Sequence, residues 1–121
     1  MPRLIDRPVA VPAVGSPPKV ILEYVGRECT GDAAVSLARM ESPSGWSEPG
    51  QRPDFDEITM VLRGTVRVEH EGGVMEVGAG QAVIAQAGEW VKYSTPGPEG
   101  AEYVSICRPA FTEKMAHRDR E

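Results

Sequence analysis

Short apolar runs of strand length alternate along the chain with breaks that carry glycine and proline. Residues 20–25 (VILEYV), 33–40 (AAVSLARM), 57–62 (EITMVL), 81–86 (QAVIAQ), 89–94 and 101–107 are predicted strands. Residues 65–70 (TVRVEH) alternate apolar and polar, and Glu71-Gly72-Gly73 reads as a hairpin turn into residues 74–77. Breaks are expected at Arg63-Gly64, where the first central strand should end, at Gly78-Ala79-Gly80, at Ala87-Gly88 and over residues 96–100. Residues 41–54 (ESPSGWSEPGQRPD) read as a loop. Strand candidates recur at roughly 8 to 12 residues, the signature of an antiparallel sandwich or barrel. Helical periodicity is missing before residue 110. Five prolines in residues 1–18 rule out a helix or central strand there and predict an extended arm, wrapped on the domain or paired with a neighbouring subunit. The expected organisation is an arm over 1–18, a barrel over 19–111 and a tail over 112–121, which forms a short helix or lies across the barrel mouth.

Length and composition narrow this picture. At 121 residues the chain holds one domain, and 13 Gly with 11 Pro suit many short strands and tight turns. A net charge of −5 opposes nucleic acid as a partner. No apolar run is long enough to span a bilayer, and the first ten residues mix Arg3, Arg7 and Asp6 with two prolines, unlike a secretory leader. A cytoplasmic location is expected. Cys29 and Cys107 stand in no metal-binding pattern and read as small buried hydrophobes. His70, beside the hairpin turn, is expected to be solvent-exposed.

Two stretches carry a spaced pattern. Gly45 is followed after five residues by Gln51-Arg52-Pro53, after three more by Glu57, and after six more by Gly64. Gly80 is followed after five residues by Gln86-Ala87-Gly88, after two by Val91, and after three by Thr95. These intervals resemble the two motifs of the cupin superfamily over about residues 33–110. The resemblance implies an all-β fold: the cupin double-stranded β-helix, a jelly-roll barrel. In that family the positions of Gln51, Pro53 and Val91 carry metal-binding histidines, and only Glu57 keeps the family's residue. Proline and valine offer no donor atom, so no metal and no cofactor are expected. The run Asp56–Gly64, "HEGGVM" at 70–75 and "YSTP" at 93–96 resemble the ethanolamine-utilisation cupins, which implies a role near a bacterial microcompartment. A weaker likeness joins residues 107–119 to the end of ectoine synthase, a cupin that closes a ring by losing water.

Strand parity names a candidate site. If Glu57 faces the barrel interior, so do Thr59 and Val61. On the later strand, Val91 brings Glu89 and Tyr93 to the same face. Gln51 should border the same space, Arg39 is a further candidate, and Trp46 is a packing residue or a lid on the mouth. Carboxyls in an apolar barrel lose hydration, which moves their pKa toward neutrality, and two that share a space are driven apart. Glu57 and Glu89 are therefore the candidate acid and base, Tyr93 the donor to a developing oxyanion, and His117 an acid–base group folded back from the tail. Gln51, Arg39, Thr59, Val61, Val91 and Trp46 are the candidate substrate-binding residues. The expected function is a metal-independent lyase, isomerase or cyclase for a small molecule. The alternatives are an accessory cupin of ethanolamine-type metabolism and a non-catalytic ligand-binding cupin. A homodimer is expected, with the arm covering an exposed sheet edge.

Overall fold

The computed structural model describes residues 1–120. Among them are nine strands and one short helix: β1 (Val9–Ala10), β2 (Val20–Val25), β3 (Ser36–Ser42), β4 (Trp46–Ser47), β5 (Asp56–His70), β6 (Gly73–Gly78), β7 (Ala82–Ala85), β8 (Val91–Thr95), β9 (Ala101–Arg108) and α1 (Glu113–Ala116). Every strand pair is antiparallel, and the sheet runs β1-β2-β3-β9-β5-β8-β4, with β6 and β7 also paired to β5. The fold is the expected all-β barrel.

Strand β5 ties the barrel together by belonging to both of its sheets. Its first half pairs with β9 and β7, and its second half with β6 and β8. Between the halves the register slips from Val61 to Arg63, and Gly64 takes φ 75°. A side chain at 64 would also strike the carbonyl of Gly100. The break expected at Arg63-Gly64 is thus a bend within one strand. A bulge beside a glycine lets the ladder turn a corner without stopping. Three other boundaries differ from expectation. β3 starts at Ser36 and runs to Ser42, β4 lies inside the segment expected to be loop, and β8 starts at Val91. A two-residue strand such as β4 carries too few positions for an alternation to show.

Alternation along the strands fills one part of the barrel with a core of Trp46, Val61, Val66, Val68, Val77, Ala85, Val91, Tyr93, Ala101 and Tyr103. Burial of each large apolar side chain there contributes about 1.5–3 kcal/mol. A second cluster of Phe55, Cys107 and Ala116, with Phe111 and Met115 against it, fastens the tail to the barrel. Thr112 caps α1 by accepting the Met115 N–H at 3.2 Å, and His117 ends it at φ 48°. The N-terminal segment lies along its own barrel: β1 pairs with Glu23 and Leu22, and Ser16 exchanges two backbone hydrogen bonds with Ser47. His70 is half-buried rather than exposed, its Nδ1 accepting from the Gly72 N–H at 3.2 Å across the hairpin turn. No helix is long and apolar enough to cross a membrane among the described residues.

Candidate functional site

A cavity of about 60 Å³ lies between the inner face of β2, β3, β9 and β5 and the segments that cross its mouth. That volume is several times what one water molecule needs. Residues 11–14 cover it from the N-terminal side, and Phe111, Glu113 and Arg118 from the tail. The inward positions of β5 supply Glu57 and Thr59, those of β9 supply Tyr103, Ser105 and Cys107, and β8 supplies Tyr93. Trp46, Glu48 and Gln51 enter from the segment before β5, and Lys19 from the residue before β2.

Glu57 is half-buried and lines the cavity. Loss of hydration, reinforced by the nearby Glu48 charge, pushes its carboxyl from the ordinary 4.5 up to about 7, against the opposing pull of Lys19 and a Tyr93 hydrogen bond. Tyr93 is buried, and its phenol is raised well above 10 by burial and by the Glu57 charge. The Tyr93–Glu57 approach is loose: the Tyr93 hydroxyl has no partner in full hydrogen-bonding geometry, alone among the buried side-chain polar atoms described. An unmade hydrogen bond of this kind is costly and marks a place for a ligand or water. Burial also raises the Cys107 thiol and the Glu48 carboxyl. Glu48 is nevertheless held by Arg118 at 3.1 Å, and Arg118 also donates to Gln51 Oε1 at 3.0 Å and contacts Glu113. Thr59 and Ser105 share a hydroxyl contact at 3.2 Å, and Ser42 and Tyr103 one at 2.8 Å.

Of the residues named from sequence, Glu57, Tyr93, Gln51, Thr59 and Trp46 meet at this cavity. Trp46 is a fully buried wall, not a lid. The remaining candidates lie elsewhere. Glu89 is exposed in the turn before β8, where its carboxylate accepts the Gln86 N–H at 2.7 Å; strand parity does not extend to it because the strand has not begun. Arg39 faces outward from β3 and pairs with Glu102 and Glu41. His117 bonds Asp54 at 2.7 Å outside the barrel, because the left-handed turn at 117 sends Arg118 inward in its place. Val61 and Val91 face inward but pack in the core and do not border the cavity. Lys19, Glu48, Tyr103, Cys107 and Arg118 were not foreseen as site residues. Alternation along β9 could have found Tyr103 and Cys107; Lys19 and Arg118 arrive from arm and tail, which no local pattern places.

A metal does not fit the motif positions. Pro53 and Val91 have no donor, the Gln51 oxygen is engaged by Arg118, and Glu57 is a single carboxylate. Among the described residues no three His, Cys, Asp or Glu side chains converge as a metal-holding group.

Comparison with known proteins agrees with this architecture. A structure of a putative ethanolamine utilization protein EutQ from Salmonella typhimurium LT2 is 22% identical, with TM-score 0.63, over 77% of this chain and 71% of that one. The polyketide cyclase RemF from Streptomyces resistomycificus is 18% identical, with TM-score 0.72, over 97% and 91%. A variant of Streptomyces PAC13 solved with uridine is 14% identical, with TM-score 0.74, over 97% and 88%. By sequence, the chain is 41% identical over 101 residues to a Myxococcus xanthus protein named endoribonuclease YbeY. The match takes in 84% of this chain but only 34% of that protein, so the chain spans about a third of its relative's length. The family described as "Cupin domain" matches residues 38–107, more than half of the chain and the whole of β5 to β8, and the chain belongs to that family.

Proposed function

We propose that the chain is a metal-independent acid–base catalyst of a small carbonyl compound: an isomerase, lyase or cyclase. The observation that carries this reading is a carboxyl poised near neutrality, Glu57, beside the unpartnered Tyr93 hydroxyl in the barrel cavity. A group with pKa near the working pH serves both as base and as acid. Glu57 as carboxylate takes a proton from the carbon next to the carbonyl, and Tyr93, which stays protonated, donates to the oxygen as it gains charge. Glu57 then returns the proton to carbon, for isomerisation, or to a departing hydroxyl, for loss of water. The raised Cys107 thiol stays protonated and is a poor nucleophile, which favours proton transfer over covalent catalysis. Ribonuclease chemistry is not carried over from the Myxococcus protein, since a net charge of −5 opposes a phosphodiester chain.

Deuterium exchange tests this without a known substrate. Small carbonyl acids are incubated with the protein in D2O and followed by NMR at the carbon beside the carbonyl. The wild type should catalyse exchange in at least one of them, and Glu57→Gln should lose about 100-fold or more of that rate. Binding without exchange across the set would favour the non-catalytic ligand-binding reading instead. The chain is also proposed to be a homodimer. Its outer sheet face carries an apolar row, Leu37, Ile106, Ile58 and Ile84, across four neighbouring strands, with exposed Met60 beside it.

A further inference from the structure

Lys19 lines the cavity, and its charge acts on Glu48 and Glu57 without a direct ion pair to either. Arg118 is spent on Glu48 and Glu113, whereas no carboxylate among the described residues lies within salt-bridge distance of Lys19. Its ammonium sits 4.1 Å over the Trp46 ring and 5.7 Å from the Tyr103 ring. Among the described residues its only polar contacts are long ones, 3.4 Å to the Tyr103 hydroxyl and 3.6 Å to the Met40 sulfur. Ring faces hold a cation in place but leave its hydrogen-bonding capacity unused. The Tyr103 hydroxyl, which points at Lys19, is anchored from behind by Ser42 at 2.8 Å, so the cation's seat is built rather than fluid. The same cavity holds the unpartnered Tyr93 hydroxyl, and aromatic and aliphatic side chains (Trp46, Phe111, Ala38, Val14) form much of the remaining wall. A positive donor, a neutral donor and flat apolar walls in one small space define a ligand chemically.

We infer that the cavity binds a small organic monocarboxylate with a short apolar body, its carboxylate seated on Lys19 and its far end toward the Tyr93 hydroxyl. The inference rests on the proposed small-molecule role of the cavity and names its substrate class, but it does not depend on turnover. The anion supplies the acceptor that Lys19 lacks, and the rings that flank the ammonium also flank the ligand body. A neutral amide of the same shape would fill the space and leave the cation unanswered, so charge and shape can be separated.

The test titrates acetate and, separately, acetamide into the full chain, following backbone amide shifts by NMR. Acetate should bind at least about tenfold more tightly than acetamide. Lys19→Met keeps most of the apolar stem of the side chain and should abolish that preference, and Lys19→Arg should retain most of it. Equal affinities in the wild type overturn the inference, as does absence of acetate binding at about 100 mM, or a preference that survives Lys19→Met. The wild-type comparison and Lys19→Arg decide the matter even if Lys19→Met fails to fold. Glu57→Gln separates the two proposals: it should keep the acetate preference while losing exchange. Acetate preference with no exchange in any carbonyl acid sinks the catalytic reading alone, and exchange without the preference sinks this inference alone.

Discussion

Glu57 shows how one retained residue changes meaning when its neighbours change. In a site with metal ligands a glutamate would be held ionised by the cation. Here Gln51, Pro53 and Val91 bring no positive charge, and the carboxyl meets desolvation and the Glu48 charge instead. Lys19 and Tyr93 offset only part of that. The consequence for stability has a definite sign. The folded pKa is raised from 4.5 to about 7, so the native state binds the proton more tightly than the unfolded chain. This contribution is fully present below about pH 4.5 and is lost as pH rises through about 7. The protein holds its catalytic candidate in a position that costs stability at alkaline pH, as tuned acid–base groups commonly do. Tyr93 adds to this cost, since its buried hydroxyl is left without a partner.

The tail is the element that completes the site. α1 and the turn at His117 carry Arg118 into the barrel, where it meets Glu48 at 3.1 Å and Gln51 at 3.0 Å. Arg118→Met would leave Glu48 buried beside Glu57 without its ion-pair partner. A loss of about 3 kcal/mol is expected at pH 8, measured by chemical denaturation. Glu48→Gln in the same chain should restore most of it, because the orphaned charge is what destabilises. If the double variant is no more stable than Arg118→Met alone, Arg118 acts by packing and not by charge.

Elements also mark how far the sequence could be read. β2, β6 and β9 stand almost where alternation and turn residues put them, because each is a self-contained run between glycine or proline breaks. The interior face of the first half of β5 was equally legible, since Glu57 sets the direction of Thr59 and Val61 before the bulge. β5 itself was split in two, because a glycine that bends a strand looks in sequence like one that ends it. Parity also misled at Glu89, where it was carried past the start of β8. Lys19, Glu48 and Arg118 were invisible for a different reason. Their place in the site depends on where arm, loop and tail close over the barrel, and no periodic pattern records that.

For the whole molecule, the outer face asks for a partner as the inner face asks for a ligand. Leu37, Ile106, Ile58 and Ile84 lie side by side across β3, β9, β5 and β7, and Ile84 and Met60 are 56% and 47% exposed. An exposed apolar sheet face can pair with its own copy about a two-fold axis, as the proposed homodimer requires. Light scattering should give twice the chain mass of 13.1 kDa, and Ile84→Glu should return it to one. A monomeric wild type at tens of micromolar would refute the homodimer. The groups that line the barrel cavity, by contrast, all come from one chain. Everything proposed for it depends on the enclosing walls holding Glu57 near neutrality without a metal. The direct measurement is an NMR titration of side-chain carboxyl carbons in 13C-glutamate-labelled protein, with Glu57→Gln assigning the resonance. The Glu57 carboxyl should titrate at about 7; a midpoint in the ordinary carboxylate range, about 4, would contradict a carboxyl tuned by the cavity walls.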